Sequence, residues 1–219
     1  MKILISADME GATGVTWPAD VEPGTEQWQR CRRMFTSDVN AAVAGFFDGG
    51  ATAVIVNDAH ATMRNLPLEQ LDARAVMLTG RHKELSMVGV PVVLVTGDDR
   101  TCTDAAGYGP GVPAVAVKDC VSRYAAVCRP PEVTAAAIRS AAKQGMTLAG
   151  RVAPVRADGF RVEVEVDAAQ LAQAAAIVPT VRRTGERVVA FESASAFDLV
   201  RCFKVVCTMI SSAMEQHYG

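Results

Sequence analysis

The sequence predicts an α/β protein: an open, mainly parallel sheet with flanking helices, followed by a smaller α+β part. Three observations carry that expectation. Ile3-Leu4-Ile5 and Val54-Ile55-Val56 are short apolar runs of the kind buried in parallel sheets. Between them lies a segment with three- and four-residue apolar spacing, so residues 2–56 read as strand, helix, strand with a right-handed crossover. Beyond residue 150 the pattern changes, and Phe160–Val166 alternates apolar and charged residues as a half-exposed strand does. The expected organisation is an α/β metal-site domain over residues 1–150 and a smaller α+β domain over 151–219.

In chain order, the first strand runs into Asp8-Met9-Glu10, where Gly11 and Gly14 allow a sharp turn. Thr25 is placed to cap a helix reaching about Phe47, with Trp28, Cys31, Phe35, Val39, Val43 and Phe46 as its buried stripe. Asp48-Gly49-Gly50 ends that helix, and Ala53–Val56 is the second strand. Ala73–Leu78 and Val90–Thr96 are expected as further strands, the latter closed by Gly97-Asp98-Asp99. A helix is expected to start in Thr101–Ala106, and Pro110–Val117 is another apolar run. Pro131 suits the first turn of a helix over Glu132–Gln144. The second part reads as the strand at Phe160, a helix over Asp167–Ala176, a hairpin about Arg183-Thr184-Gly185-Glu186 and a last helix from Ser195 to Glu215.

Composition narrows the function. Half of the 219 residues are apolar and 21% charged, as in ordinary globular proteins. The net charge of −2, with no basic block, argues against nucleic acid or an anionic membrane as partner. No apolar run approaches a membrane span, and Met1-Lys2 leads directly into a strand rather than a signal peptide. The six cysteines form no C-x-x-C pair, so they are expected as reduced core residues of a cytoplasmic protein.

The candidate chemistry sits at two strand ends. Asp8 and Glu10 leave the first strand at its carboxyl end, where open α/β sheets place ligands. Side by side they repel unless a proton or cation lies between them. Alone, D-x-E reads equally well as a solvated acidic turn. The second strand ends in Asn57-Asp58-Ala59-His60, which adds an imidazole. Two carboxylates and a histidine from neighbouring strand ends favour a site for zinc or a similar divalent ion. Asn57 and Asp58 are then candidates for orienting His60, though both also read as strand-end turn residues. Asp98-Asp99 reads as a helix cap rather than a ligand pair. Phosphate or nucleotide binding at the first turn is disfavoured, since no G-x-G-x-x-G or P-loop occurs there and the carboxylates would repel it.

Several motifs together resemble the D-aminopeptidase family of self-compartmentalising zinc peptidases. They are D-M-E-G-A-T-G at Asp8–Gly14, N-D-A-H at Asn57–His60, L-T-G-x-x-K-x-L-S-M at Leu78–Met87 and V-T-G-D-D at Val95–Asp99, with the R-T-G-E-R turn near the carboxyl end. The resemblance runs nearly end to end. It implies zinc bound by Asp8, Glu10 and His60, two ions per chain in the family with Asp8 bridging them, and one or two here. It implies short peptides with an amino-terminal D-residue as substrates, and a homo-oligomer, in the family a ring-shaped decamer.

The sequence departs from the family between Val88 and Gly89. There the family carries several dozen further residues, with a second ligand histidine, a ligand glutamate and the histidine assigned to catalysis. No catalytic residue is therefore assigned. His82 and His217 read as a loop and a tail residue. Loss of that stretch would remove a central strand and a connecting helix, leaving apolar faces to be covered. Either the chain is a shortened, repacked relative or a further segment exists; the fit of Met87 and Gly89 to the family pattern favours the second. The alternative to an enzyme is a non-hydrolytic metal-binding scaffold or subunit of the same fold.

Overall fold

A computed structural model describes residues 1–80, 89–154 and 158–214. His82, His217, the Val88 side of the junction and most of the Leu78–Met87 motif lie outside them. The elements fall into two compact units, one holding those from Lys2 to Gly145, the other those from Phe160 to Ser212.

In the first unit, strands β1 (Lys2–Ala7), β2 (Ala53–Asp58) and β3 (Val76–Leu78) pair in that order and in parallel. The register sets Ile3 beside Val54 and Ala7 beside Asp58, so both strands end at the same level. Helix α1 (Glu26–Asp48) connects β1 to β2, and the Thr25 side chain caps it by accepting the Trp28 N–H at 3.0 Å. Its stripe of Trp28, Cys31, Phe35, Val39, Val43 and Phe46 is buried as expected, against Ile3, Val54 and Val56. Strand β3 is shorter than expected because Asp72 turns the chain, bonding the Arg74 N–H and pairing with its guanidinium.

The next strands form a separate sheet: β4 (Val95–Asp98) is parallel to β5 (Ala114–Ser122), which is antiparallel to β6 (Ala125–Cys128). Strand β4 starts at Val95 rather than Val90. Pro91 has no N–H to give a ladder, and Val93 and Leu94 pack against the core instead. Strand β6 was not expected. Helix α2 (Asp99–Tyr108) follows β4, and Asp98 caps it by accepting the Thr101 N–H at 2.7 Å.

Helix α3 (Pro131–Gly145) packs on α1 at a point where only glycine fits. A Cβ on Gly45 would lie 2.2 Å from the Arg139 carbonyl oxygen and 2.7 Å from the Ala142 methyl. Gly45→Val is therefore expected to force the helices apart and cost about 3 kcal/mol, the upper range for core overpacking. Urea unfolding of the variant checks it: an unchanged midpoint would mean that the crossing yields freely.

The second unit has β7 (Phe160–Glu165), α4 (Ala169–Ala175), β8 (Arg182–Arg183), β9 (Val188–Ser193) and α5 (Ala196–Ser212). Its sheet is antiparallel in the order β7-β9-β8. The order of elements is the expected one, around a core of Ala172, Ala175, Val189, Phe191 and Val206. Among the described residues no helix is long and apolar enough to cross a membrane. All six cysteines are free, but the expectation that they are core residues holds fully only for Cys31, and Cys128 is exposed.

Candidate metal centre

Strands β1 and β2 deliver Asp8, Glu10 and His60 to one place. The His60 Nδ1 lies 3.0 Å from Asp8 Oδ1 and 3.0 Å from Glu10 Oε2, and one ligand atom from each residue falls within 4.8 Å of the others. The imidazole is buried while both carboxylates reach solvent, with 64% and 62% of their side chains exposed. The other ring nitrogen, Nε2, is 2.9 Å from the Val21 carbonyl oxygen. A carbonyl only accepts, so Nε2 carries a proton and Nδ1 is the nitrogen turned to the carboxylates.

The electrostatics follow from that contact. Partial burial, then the hydrogen bond and charge of Asp8, raise the Glu10 carboxyl above its usual range. Burial alone would lower the His60 pKa, but the Val21 carbonyl and the charges of Glu10 and Asp8 outweigh it and raise it. In both cases the groups favour a positive charge between them, here the imidazolium proton. A divalent cation answers the same demand. The donor set of two carboxylate oxygens and one imidazole nitrogen, its ring already fixed by a carbonyl, suits zinc.

The oxygen that orients the ring is thus Val21's, where Asn57 or Asp58 had been expected. Asp58 instead accepts from the Asn65 N–H and amide and the Leu66 N–H, and Asn65 donates to the His60 carbonyl. This pins the backbone behind His60, where Ala61 and Met63 take positive φ values of 42° and 58° that such residues rarely adopt. Asn57 Oδ1 is buried with no partner among the described residues.

The Asp8–Gly14 turn is held from two further directions. Lys118 of β5 is buried, and its ammonium donates to the carbonyls of Glu10, Ala12 and Val15 at 2.5, 3.3 and 2.6 Å. Asp38 of α1 accepts from the Thr13 N–H at 2.8 Å and from the Thr13 hydroxyl at 2.9 Å. Thr13 then bonds Thr134, whose hydroxyl donates to the Pro131 carbonyl.

Burial pushes Asp38 up to about 6, against the pull of Thr13. The native state binds this proton more tightly than the unfolded chain does. Its contribution is therefore full below about pH 4 and is lost as pH rises through about 6, by roughly 3 kcal/mol. Asp38→Asn removes the titrating group at nearly the same size and keeps an oxygen to accept from Thr13. The stability difference between wild type and Asp38→Asn is expected to shift in the variant's favour between pH 4 and 7. Parallel denaturant titrations across that range check it, and a pH-independent difference would refute it.

A second cluster, Asp98, Asp99 and Cys120, also brings ligand atoms within 4.8 Å of one another. Its groups are spent on structure: Asp98 caps α2, and Asp99 accepts the Cys120 N–H at 2.7 Å. The expected capping role of Asp98 is what the fold uses.

An α/β protein that gathers two carboxylates and an imidazole at parallel strand ends has the donor layout of a candidate divalent-metal site. A family model described as D-aminopeptidase matches residues 1–89 and 88–205. The chain belongs to the D-aminopeptidase family. The D-aminopeptidase of Bacillus subtilis (strain 168) is 26% identical over 277 residues, covering 100% of both chains. That alignment is longer than this chain, and the family match breaks at residues 88 and 89, where the sequence lacks the family's additional stretch. Among solved structures, the Zn-dependent D-aminopeptidase DppA from Bacillus subtilis, a self-compartmentalizing protease, superposes with a TM-score of 0.88 at 23% identity, covering 96% of this chain and 98% of its own. The fold is the same.

Proposed function

We propose that the chain is a zinc-dependent aminopeptidase acting on short peptides with an amino-terminal D-residue, with Asp8, Glu10 and His60 holding the metal. The observation that carries the reading is the His60 Nδ1 at 3.0 Å from both carboxylates while Nε2 is committed to Val21. Membership in the D-aminopeptidase family supports the reaction class and the substrate.

Zinc at such a site lowers the pKa of a bound water to about 7 and polarises a carbonyl. The residues themselves do the rest. Asp8 and Glu10, both exposed, present negative charge to the free amino group of a peptide. Val21 keeps the imidazole in one tautomer, and Lys118 fixes the backbone carrying Glu10. The resemblance gives proton transfer to a histidine in the stretch that this chain lacks, so no residue is assigned to it. That same gap favours the second reading, a metal-binding scaffold or subunit without hydrolysis.

Zinc analysis of the purified protein, with assays on D-alanyl and L-alanyl dipeptides, separates the readings. Zinc at one or two ions per chain with turnover of the D-peptide supports the enzyme. Zinc without turnover supports the scaffold, and no zinc removes both.

We also propose a cytoplasmic homo-oligomer, a ring decamer by family resemblance. DppA's self-compartmentalizing description supports it, as does α5, which leaves Phe197, Val200, Phe203 and Val205 exposed. Light scattering is expected to give a mass well above the 23.2 kDa of one chain. A monomer at micromolar concentration would refute this.

A further inference from the structure

Beside the carboxylate–imidazole cluster lies a cavity of about 400 Å³ with Glu10 on its wall. It is formed by the loop after β1 and by the β5–β6 hairpin. Trp17 and Tyr124 line it, their ring centroids 5.0 Å apart at 65°. Both rings stay substantially exposed, at 54% and 48%. Large aromatic rings left in water beside a cavity are surfaces awaiting an apolar partner.

The wall also carries a free cation. Lys118 lines the cavity, but its ammonium is spent on three carbonyls. Arg123 has no anionic partner among the described residues, and its guanidinium carbon lies 5.5 Å from the Tyr124 ring centroid. The ring holds the guanidinium near the cavity without neutralising it. The cavity therefore offers the Glu10 carboxylate, an aromatic surface and, on Arg123, a guanidinium without an anionic partner among the described residues.

A dipeptide matches that set. It spans about 7 Å, and 400 Å³ is near the lower end of the range for small-molecule sites, roughly 300–1,000 Å³. We propose that this cavity receives the carboxy-terminal residue of a dipeptide, with an apolar or aromatic side chain against Trp17 and Tyr124 and its free carboxylate on Arg123. The amino end and the amide bond are thereby directed toward Glu10, whose carboxylate lies 3.0 Å from the His60 ring. The inference deepens the peptidase reading and rests on it. It makes Arg123 and Trp17 determinants of specificity, favouring dipeptides with a free carboxylate over their amides.

The test uses the full-length, zinc-loaded protein and probes with a blocked amino end, which an aminopeptidase cannot cleave. N-acetylphenylalanine and its amide are titrated while tryptophan fluorescence is followed; Trp28 is buried, so the response reports on Trp17, and Trp17→Phe should abolish it. The acid is expected to bind saturably and the amide about tenfold or more weakly, the loss of one charge-assisted pair. Arg123→Gln should bring the acid down to the amide's level with zinc content unchanged. In turnover it should raise KM about tenfold for alanyl-phenylalanine while leaving kcat, and the KM of the dipeptide amide, unaltered. Equal binding of acid and amide, or an indifferent Arg123→Gln, overturns the subsite even if zinc and turnover persist. Absent turnover with Arg123-dependent binding of N-acetylphenylalanine leaves the carboxylate subsite standing and removes the peptidase reading.

Discussion

His60→Ala is expected to weaken zinc binding by about 100- to 1,000-fold and to abolish peptide hydrolysis at ordinary zinc concentrations. Protein zinc sites are worth about 10–16 kcal/mol shared among about four ligands, so each ligand carries roughly 3 kcal/mol. The loss is larger than the removal of any neighbour because His60 contributes the cluster's one nitrogen, which holds zinc as the neutral imidazole. A chelator-competition titration measures the affinity, with circular dichroism as the check on folding. Asn57→Ala is the control, expected to leave affinity within about threefold, because the ring is oriented by Val21. If His60→Ala binds zinc as tightly as the wild type, the cluster is not the metal site.

Lys118→Met should be the most destabilising single change in the first unit. Methionine nearly matches the volume but leaves the carbonyls of Glu10, Ala12 and Val15 without their donor. Each orphaned buried acceptor costs about 1–3 kcal/mol, so a loss of about 3–6 kcal/mol is expected. That approaches the whole stability of an ordinary domain, about 5–15 kcal/mol. Burial lowers the Lys118 pKa and the nearby Asp98 charge counters it, but the contact needs the ammonium form. Urea unfolding gives the loss directly. A midpoint shift equivalent to less than about 1 kcal/mol would show that water replaces the ammonium there.

Much of this architecture is legible in the sequence wherever local chemistry decides it. Thr25 announces α1, Pro131 opens α3, and the alternation from Phe160 marks β7. The three candidate site residues are legible because two strands each end in polar side chains at the same level. What stays hidden is whatever depends on backbone groups or on distant partners. Val21 orients the imidazole through a carbonyl, which carries no signature in residue type. Lys118 sits in an apolar stretch and looks like a surface residue until the carbonyls it serves are seen. Strand β4 was displaced because Val93 and Leu94 advertise a strand that Pro91 helps prevent. Trp17 reads only as part of a loop until the hairpin brings Tyr124 to it.

The bonds from Lys118 to Glu10 and from Thr13 to Thr134 join positions 108 and 121 residues apart. Closing loops of that length costs entropy that only late contacts repay, so the acidic turn takes its final shape near the end of folding. On the ribosome, a chain that has released only β1, α1 and β2 has the carboxylates, the imidazole and the Asp38–Thr13 bonds, but neither Lys118 nor Thr134. The turn that carries Glu10 is therefore complete only once residues as far along the chain as α3 are in place.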